Sequence, residues 1–207
     1  MSDAPVRPLG RVSLVQIQPN GLIVGLPQPS LVRSFYDAGR RVEVERLEIT
    51  RRGIQATLPT GEEVLDIHHL DHPAKAYDED DLVCVGFTAH YAAMRDEFGA
   101  HMVVGVAGEN IVIDHPHEVW PDDLGNALTI ENQDTGEMAR LEMVSFAAPC
   151  VEFSRFCARR QVEEISTPQL GEILRFLGNG RRGFLLVPDE ALDVVTVRPG
   201  DRVFLVG

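Results

Sequence analysis

Cys150 closes the segment Ala147-Ala148-Pro149-Cys150, at the end of a long strand-like run. Proline cannot donate to a sheet ladder, so Pro149 stops the strand and leaves the thiol at a strand end or loop, within reach of solvent or a ligand. A thiolate in such a place can coordinate a metal or carry sulfur as a persulfide. The other two cysteines read as small buried hydrophobes, because Cys84 lies inside the apolar run Leu82 to Phe87 and Cys157 follows Phe153 and Phe156.

Three further segments carry polar groups at spacings that chemistry or simple architecture could use. In Gly105-Val106-Ala107-Gly108-Glu109-Asn110-Ile111 two glycines permit a left-handed backbone, and Glu109-Asn110 then precede a return to strand. That pair reads equally as a turn closed by its asparagine. The stretch His68-His69-Leu70-Asp71-His72-Pro73-Ala74-Lys75 puts His68 and His72 four apart, but Pro73 biases His72 to an extended backbone, so a helical zinc pair does not fit. An anion-binding loop and solvated histidines are the readings that stay open. In Gly178-Asn179-Gly180-Arg181-Arg182-Gly183 the two arginines either complement the end of a preceding helix or present guanidinium groups to a phosphate. No phosphate-binding loop of the Walker type, Rossmann fingerprint or Gly-x-Ser-x-Gly elbow is present in the sequence.

The elements that must position these residues are mostly strands. Alternation or apolar β-branched runs predict strands at 11–18, 41–50, 54–58, 63–69, 82–87, 127–131, 137–146, 184–187, 194–197 and 202–206, with a hairpin turn at Arg52-Gly53. Leu170, Ile173, Leu174 and Leu177 fall on one helical stripe, with Thr167 as N-cap, Pro168 at the first position and Gly178 past the end. Thr88 to Phe98 predicts a second helix capped by Thr88. About ten strands with two or three helices imply a mainly β chain, closed into a barrel that leaves no exposed edges. No linker or repeat divides the 207 residues, so one domain over 1–207 is expected.

Composition narrows the partners. Nineteen basic residues against 32 acidic ones give a net charge of -13, which disfavours phosphate backbones and anionic lipid. No run approaches the roughly 18 apolar residues of a membrane helix. Three cysteines suit a reducing compartment, and the expected place is the cytoplasm. Lys75 is the single lysine; one lysine in a His-rich loop lacks the groups that hold pyridoxal phosphate, so that cofactor is not expected.

In order along the chain, these segments resemble the MOSC domain, named for the C-terminal domain of molybdenum cofactor sulfurase. The resemblance rests on His68-His69 followed by Lys75-Ala76-Tyr77, on Val106 to Ile111 with its Gly-Glu-Asn, on Pro149-Cys150 about forty residues later, and on Gly180-Arg181-Arg182-Gly183 before Arg198-Pro199-Gly200-Asp201-Arg202-Val203. It covers roughly residues 60 to 207 and leaves 1–60 poorly matched. It implies a closed β-barrel with a few peripheral α-helices that binds molybdenum cofactor (molybdopterin) or transfers sulfur. By the resemblance, Cys150 is the catalytic thiol and a molybdenum ligand, as in relatives that reduce N-hydroxylated compounds. The cofactor-binding set it implies is His69, Lys75, Glu109, Asn110, Arg181 and Arg182, with the cationic members on the pterin phosphate. Many relatives have an arginine two or three residues before the cysteine, where this chain has Ala147 and Ala148. The implied partners are a small-molecule substrate or cofactor and a redox partner protein, with no nucleic acid and no membrane. A non-catalytic barrel that binds an anionic ligand is the alternative.

Overall fold

Seven strands close on themselves in the computed structural model of the protein, which describes residues 6–25, 27–28, 31–32, 34–75, 80–160 and 165–206. They are β1 (Val6–Ile17), β5 (Val83–Phe87), β6 (Ile111–Asp114), β7 (Ala127–Glu131), β8 (Met138–Phe146), β9 (Phe184–Pro188) and β11 (Arg202–Val206). Around the barrel the order is β6, β5, β9, β8, β7, β11, β1, and β1 returns to β6 through pairs such as Arg11 with Asp114 and Val15 with Ile111. A second sheet holds β10 (Val195–Val197), β2 (Leu47–Thr50), β3 (Gly53–Thr57) and β4 (Glu63–Leu65) in that order.

Alternation of side chains builds the core. Val83, Val85 and Phe87 on β5, Ile111 and Ile113 on β6, and Phe184 and Leu186 on β9 join one apolar cluster, while Val112 faces the other way into a second. The second cluster, with Tyr91, Met94, Phe153, Cys157 and Leu177, lies between barrel and helices. Within the barrel β5 and β6 are the parallel pair, and parallel neighbours need a long crossover. Residues 88–110 supply it, with helix α1 (Thr88–Phe98) and then the Gly105 to Asn110 turns. The remaining helices are the short α2 (Pro121–Leu124), α3 (Val151–Ala158) and α4 (Thr167–Leu177). Among the described residues no helix is long and apolar enough to cross a membrane.

Mainly β architecture and barrel closure agree with the sequence reading, and several boundaries differ from it. The strand expected over 41–50 is broken, with Val42–Glu43 on β1 and Leu47–Thr50 in the second sheet. The strand expected over 63–69 ends at Leu65, because the Asp66 carboxylate accepts from His68 N and turns the chain. β1 begins earlier than expected and is the longest strand, so the part of the chain that the resemblance left unmatched supplies a full stave of the barrel. Thr88 is not the cap of α1; Phe87 holds that position, and Thr88 Oγ1 donates to Asp114 Oδ1 at 2.9 Å.

On α4 the cap is Ser166, one residue before Thr167. Its hydroxyl accepts from Gln169 N while Gln169 Oε1 accepts from Ser166 N, a reciprocal capping box. Ser166→Ala is expected to cost about 1 kcal/mol, read as a lower urea midpoint at unchanged slope.

Candidate functional site

Of the strand end or loop expected for Cys150, the structure has the loop: the chain turns into α3 directly after Pro149, and Cys150 is the helix N-cap, with φ -92° and ψ 162°. Its Sγ accepts from Phe153 N at 3.4 Å. Eight residues with a modest apolar face gave α3 too little periodic signal beside the stronger stripe of α4. Cys150 is half-buried and lines a cleft of about 270 Å³ on the outside of the barrel.

Several separate segments meet there. Ala147 and Ala148 approach from the end of β8, Leu185 from β9, and Gly108 from the turn before β6. Gly108 has φ +95°, and a Cβ there would come within 2.7 Å of Leu22 Cδ1, so glycine serves both the backbone and the space. Tyr36 is buried, and its hydroxyl donates to Val106 O at 2.8 Å. Burial pushes that phenol far above its ordinary range, with Arg182 opposing. His68 and Asp81 line another side.

Cys84 lines the same cleft, which the sequence did not suggest: on β5 its neighbours Val83 and Val85 point into the core and it points out. Burial first, and Glu109 second, push its thiol well above the ordinary cysteine range. Burial likewise pushes Cys157, on the inner face of α3, up to about 12. Both are held as neutral thiols at physiological pH, the poorly nucleophilic form.

Arg182 is the one arginine or lysine among the described residues lining the cleft. Its Nη1 donates to Ala148 O at 2.7 Å, and its guanidinium lies 5.3 Å from the Phe153 ring. Its Nε is buried without a hydrogen-bond partner. Burial pulls this group down, but Cys150, Tyr36, Cys84 and Glu109 together outweigh it and hold Arg182 above the usual arginine range. The cation therefore reaches the backbone carbonyl two residues before Cys150.

The other residues picked out by sequence lie elsewhere. Arg181 turns away from the cleft: its Nε donates to Glu118 Oε1 at 2.7 Å and its guanidinium stacks 4.0 Å from the Phe176 ring. His69 is buried against Gly53, and Asp71 N donates to its Nδ1 at 3.1 Å; burial lowers its pKa. Lys75 is half-buried and does not line the cleft, and Ala76 and Tyr77 lie outside the described residues.

Glu109 and Asn110 lie beneath the cleft. Asn110 is fully buried, with Nδ2 donating to Asp66 Oδ2 at 2.8 Å and Oδ1 accepting from Cys84 N at 2.9 Å. Glu109 accepts from the Tyr91 hydroxyl through Oε2, while Oε1 is buried without a partner. Burial pushes its carboxyl up to about 7, against the opposing pull of Tyr91, Arg182 and Arg41. It fits only because Gly86 and Gly183 leave space, since a Cβ at Gly183 would sit 3.1 Å from Glu109 Cγ and 3.0 Å from Cys84 Sγ.

Sequence reasoning missed Tyr36, Asp66 and the N-terminal wall of the cleft. Tyr36 has no local signal, whereas Asp66, a lone carboxylate between Leu65 and Ile67, could have been noticed as a polar residue in an apolar run.

No curated protein matches this chain. Among solved structures, the YuaD protein from Bacillus subtilis is 11% identical, with 93% of this chain and 97% of that one covered and a TM-score of 0.48. YiiM from Geobacillus stearothermophilus is 16% identical over 98% of this chain and 76% of its own, with a TM-score of 0.49. YiiM from Escherichia coli is 16% identical over 80% of this chain, which spans 65% of that protein's length, with a TM-score of 0.48. The family model of the MOSC domain matches residues 71–204, well over half of the 207, and takes in the Gly-Glu-Asn segment, Pro149-Cys150 and Arg181-Arg182; the chain belongs to the MOSC domain family.

Proposed function

We propose that this MOSC-domain protein binds molybdenum cofactor in the cleft beside Cys150, and works as a reductase of N-hydroxylated compounds or a carrier of sulfur. The observation that carries the reading is the pairing of a half-buried thiol with a guanidinium whose buried Nε has no partner, on one cleft. An orphaned cationic donor costs free energy unless an anion meets it, and a phosphate supplies the missing acceptor. A thiolate is a soft ligand suited to a metal of this kind.

The residues therefore fit such a group in two places, with Cys150 for the metal and Arg182 for the phosphate. When bound, the cofactor would supply the electrons; the protein would supply position, field and protons. Tyr36 and Phe153 pack around the cation and limit water, and Leu22, Ile23 and Leu185 give the cleft an apolar wall for a small organic substrate. A reductase of this type requires an electron-donating partner protein. The net charge of -13 and the three cysteines support a cytoplasmic place and a small-molecule ligand over nucleic acid or a membrane surface.

The test is protection and charge removal. Cofactor-loaded protein is expected to resist iodoacetamide at Cys150 while cofactor-free protein is modified there, and Cys157 stays unmodified in both. Arg182→Gln, which removes the charge, is expected to weaken cofactor retention about tenfold, the loss of one charge-assisted hydrogen bond, and to flatten its dependence on salt. Modification at Cys84 or Cys157 with Cys150 spared, or Arg182→Gln retaining cofactor like the parent, would contradict the reading.

A further inference from the structure

Glu109 is 1% exposed and lies one residue behind Gly108, which lines the cleft. Two close approaches hold its carboxyl there. A Cβ at Gly86 on β5 would sit 2.9 Å from Glu109 Cδ, and one at Gly183 would sit 3.1 Å from its Cγ. Gly183 directly follows Arg182, so the turn that brings the cation to the cleft also packs against the buried carboxyl. Glu109 Oε1 and Arg182 Nε are both buried without a hydrogen-bond partner. The two groups share one wall of the cleft, where a low dielectric lets charges act on each other through the protein.

A proton on this carboxyl has one place to go. Ala107 N donates to the Tyr91 hydroxyl at 3.1 Å, and that hydroxyl donates to Glu109 Oε2. Oε2 is thus already supplied, and Oε1 is the oxygen left to carry the proton. Arg182 and Arg41 face the carboxyl as cations and favour its ionised form against burial. Tyr91 from α1, Cys84 from β5 and Tyr36 face it too, and burial holds all three neutral near physiological pH. Asp66 and Asp81 add negative charge around Cys84. Glu109 is therefore the member of this cluster poised to exchange a proton near neutrality.

We propose that anion binding in the cleft is linked to protonation of Glu109: an anion that meets Arg182 brings a proton onto Glu109 Oε1, and the cleft holds anions more tightly in acid than in base. This rests on the reading, given under Proposed function, that Arg182 meets the anionic part of the ligand. The sign follows from charge. The free cation helps to keep Glu109 ionised; an anion beside Arg182 cancels that help, so the carboxyl takes a proton from water. The coupling is reciprocal, and a proton on Glu109 tightens the anion by the same factor. The gain is complete below the carboxyl's midpoint in the free protein and is lost as pH rises through its midpoint in the complex.

Sulfate on cofactor-free protein tests the linkage, because it stays dianionic between pH 5.5 and pH 8.5 and adds no titration of its own. At constant ionic strength, carbon-13 NMR of the Glu109 carboxyl is expected to show its midpoint rising by about half a pH unit when sulfate saturates. Sulfate should then bind about threefold more tightly at pH 5.5 than at pH 8.5. Glu109→Gln should remove that threefold, and any pH dependence left belongs to other groups of the cleft such as His68 and Asp81. Arg182→Gln should raise the midpoint without sulfate and show no further response to it. An unmoved midpoint while sulfate binds through Arg182, or equal pH dependence in Glu109→Gln and parent, would overturn the linkage and leave the anion reading standing. Sulfate that binds neither protein, or binds Arg182→Gln as tightly as the parent, would overturn the anion reading and the linkage with it.

Discussion

Cys150→Ala is expected to strip molybdenum from the purified protein while the barrel stays folded. The sulfur makes one weak hydrogen bond, to Phe153 N at 3.4 Å, so its loss as a helix cap costs under about 1 kcal/mol. Its loss as a ligand costs far more: even an outer partner of a metal site is worth roughly 10–100-fold in affinity, and a direct ligand exceeds that. Metal analysis of parent, Cys150→Ala and Cys157→Ala protein, purified side by side, reads the effect. Molybdenum should fall to background in the first variant and stay at the parent level in the second. Cys157 is buried in the apolar cluster behind α3, and its substitution should register as lost stability instead.

Glu109 governs the second large effect, on stability as a function of pH. Its pKa in the fold is about 7 against an ordinary 4.5, so between those values the folded protein holds a proton that the unfolded chain has released. The stability associated with the neutral carboxyl is complete below about pH 4.5 and is lost as pH rises through about 7. A shift of that size corresponds to about 3 kcal/mol. Glu109→Gln stays neutral and can still accept from Tyr91, so this variant should gain about 3 kcal/mol on the parent between pH 4.5 and pH 8. Urea unfolding of cofactor-free protein at the two pH values measures it. Parallel profiles for the two proteins would show instead that Arg182 and Arg41 hold the carboxylate ionised.

Local patterns announced much of this architecture. The run Ala127–Glu131, the run Arg202–Val206 and the stripe Leu170 to Leu177 are regular enough for period alone to place them, and β8 and β9 differ from expectation by a residue. What period could not show was where irregularity enters. The break between Val42–Glu43 and Leu47–Thr50 divides one apolar pattern between two sheets, and the turn at Asp66 depends on a side-chain hydrogen bond. α3 is short, and Pro149 read as a strand stop was in fact also the prelude to a helix.

The site was legible in part for a similar reason. Pro149-Cys150 and Arg182 could be picked out by residue type, and the structure brings them to one cleft. Arg181 and Arg182 are neighbours in sequence, but successive side chains in a turn point apart, and only tertiary packing against Trp120 and Phe176 decides which arginine is consumed. The same holds for His68 and His69, where burial against Gly53 removes one and the Asp66 carboxylate claims the other. Tyr36 arrives from a region with no periodic signal and is placed by long-range contact with Phe153 and Val106.

The most direct test of the central claim is the metal content and metal environment of the parent protein purified from a host that makes molybdenum cofactor. One molybdenum per chain is expected, with X-ray absorption showing one more sulfur neighbour than in the Cys150→Ser variant reconstituted with the same cofactor. Protein that carries no molybdenum, or a molybdenum whose sulfur shell is identical in parent and Cys150→Ser, would contradict it.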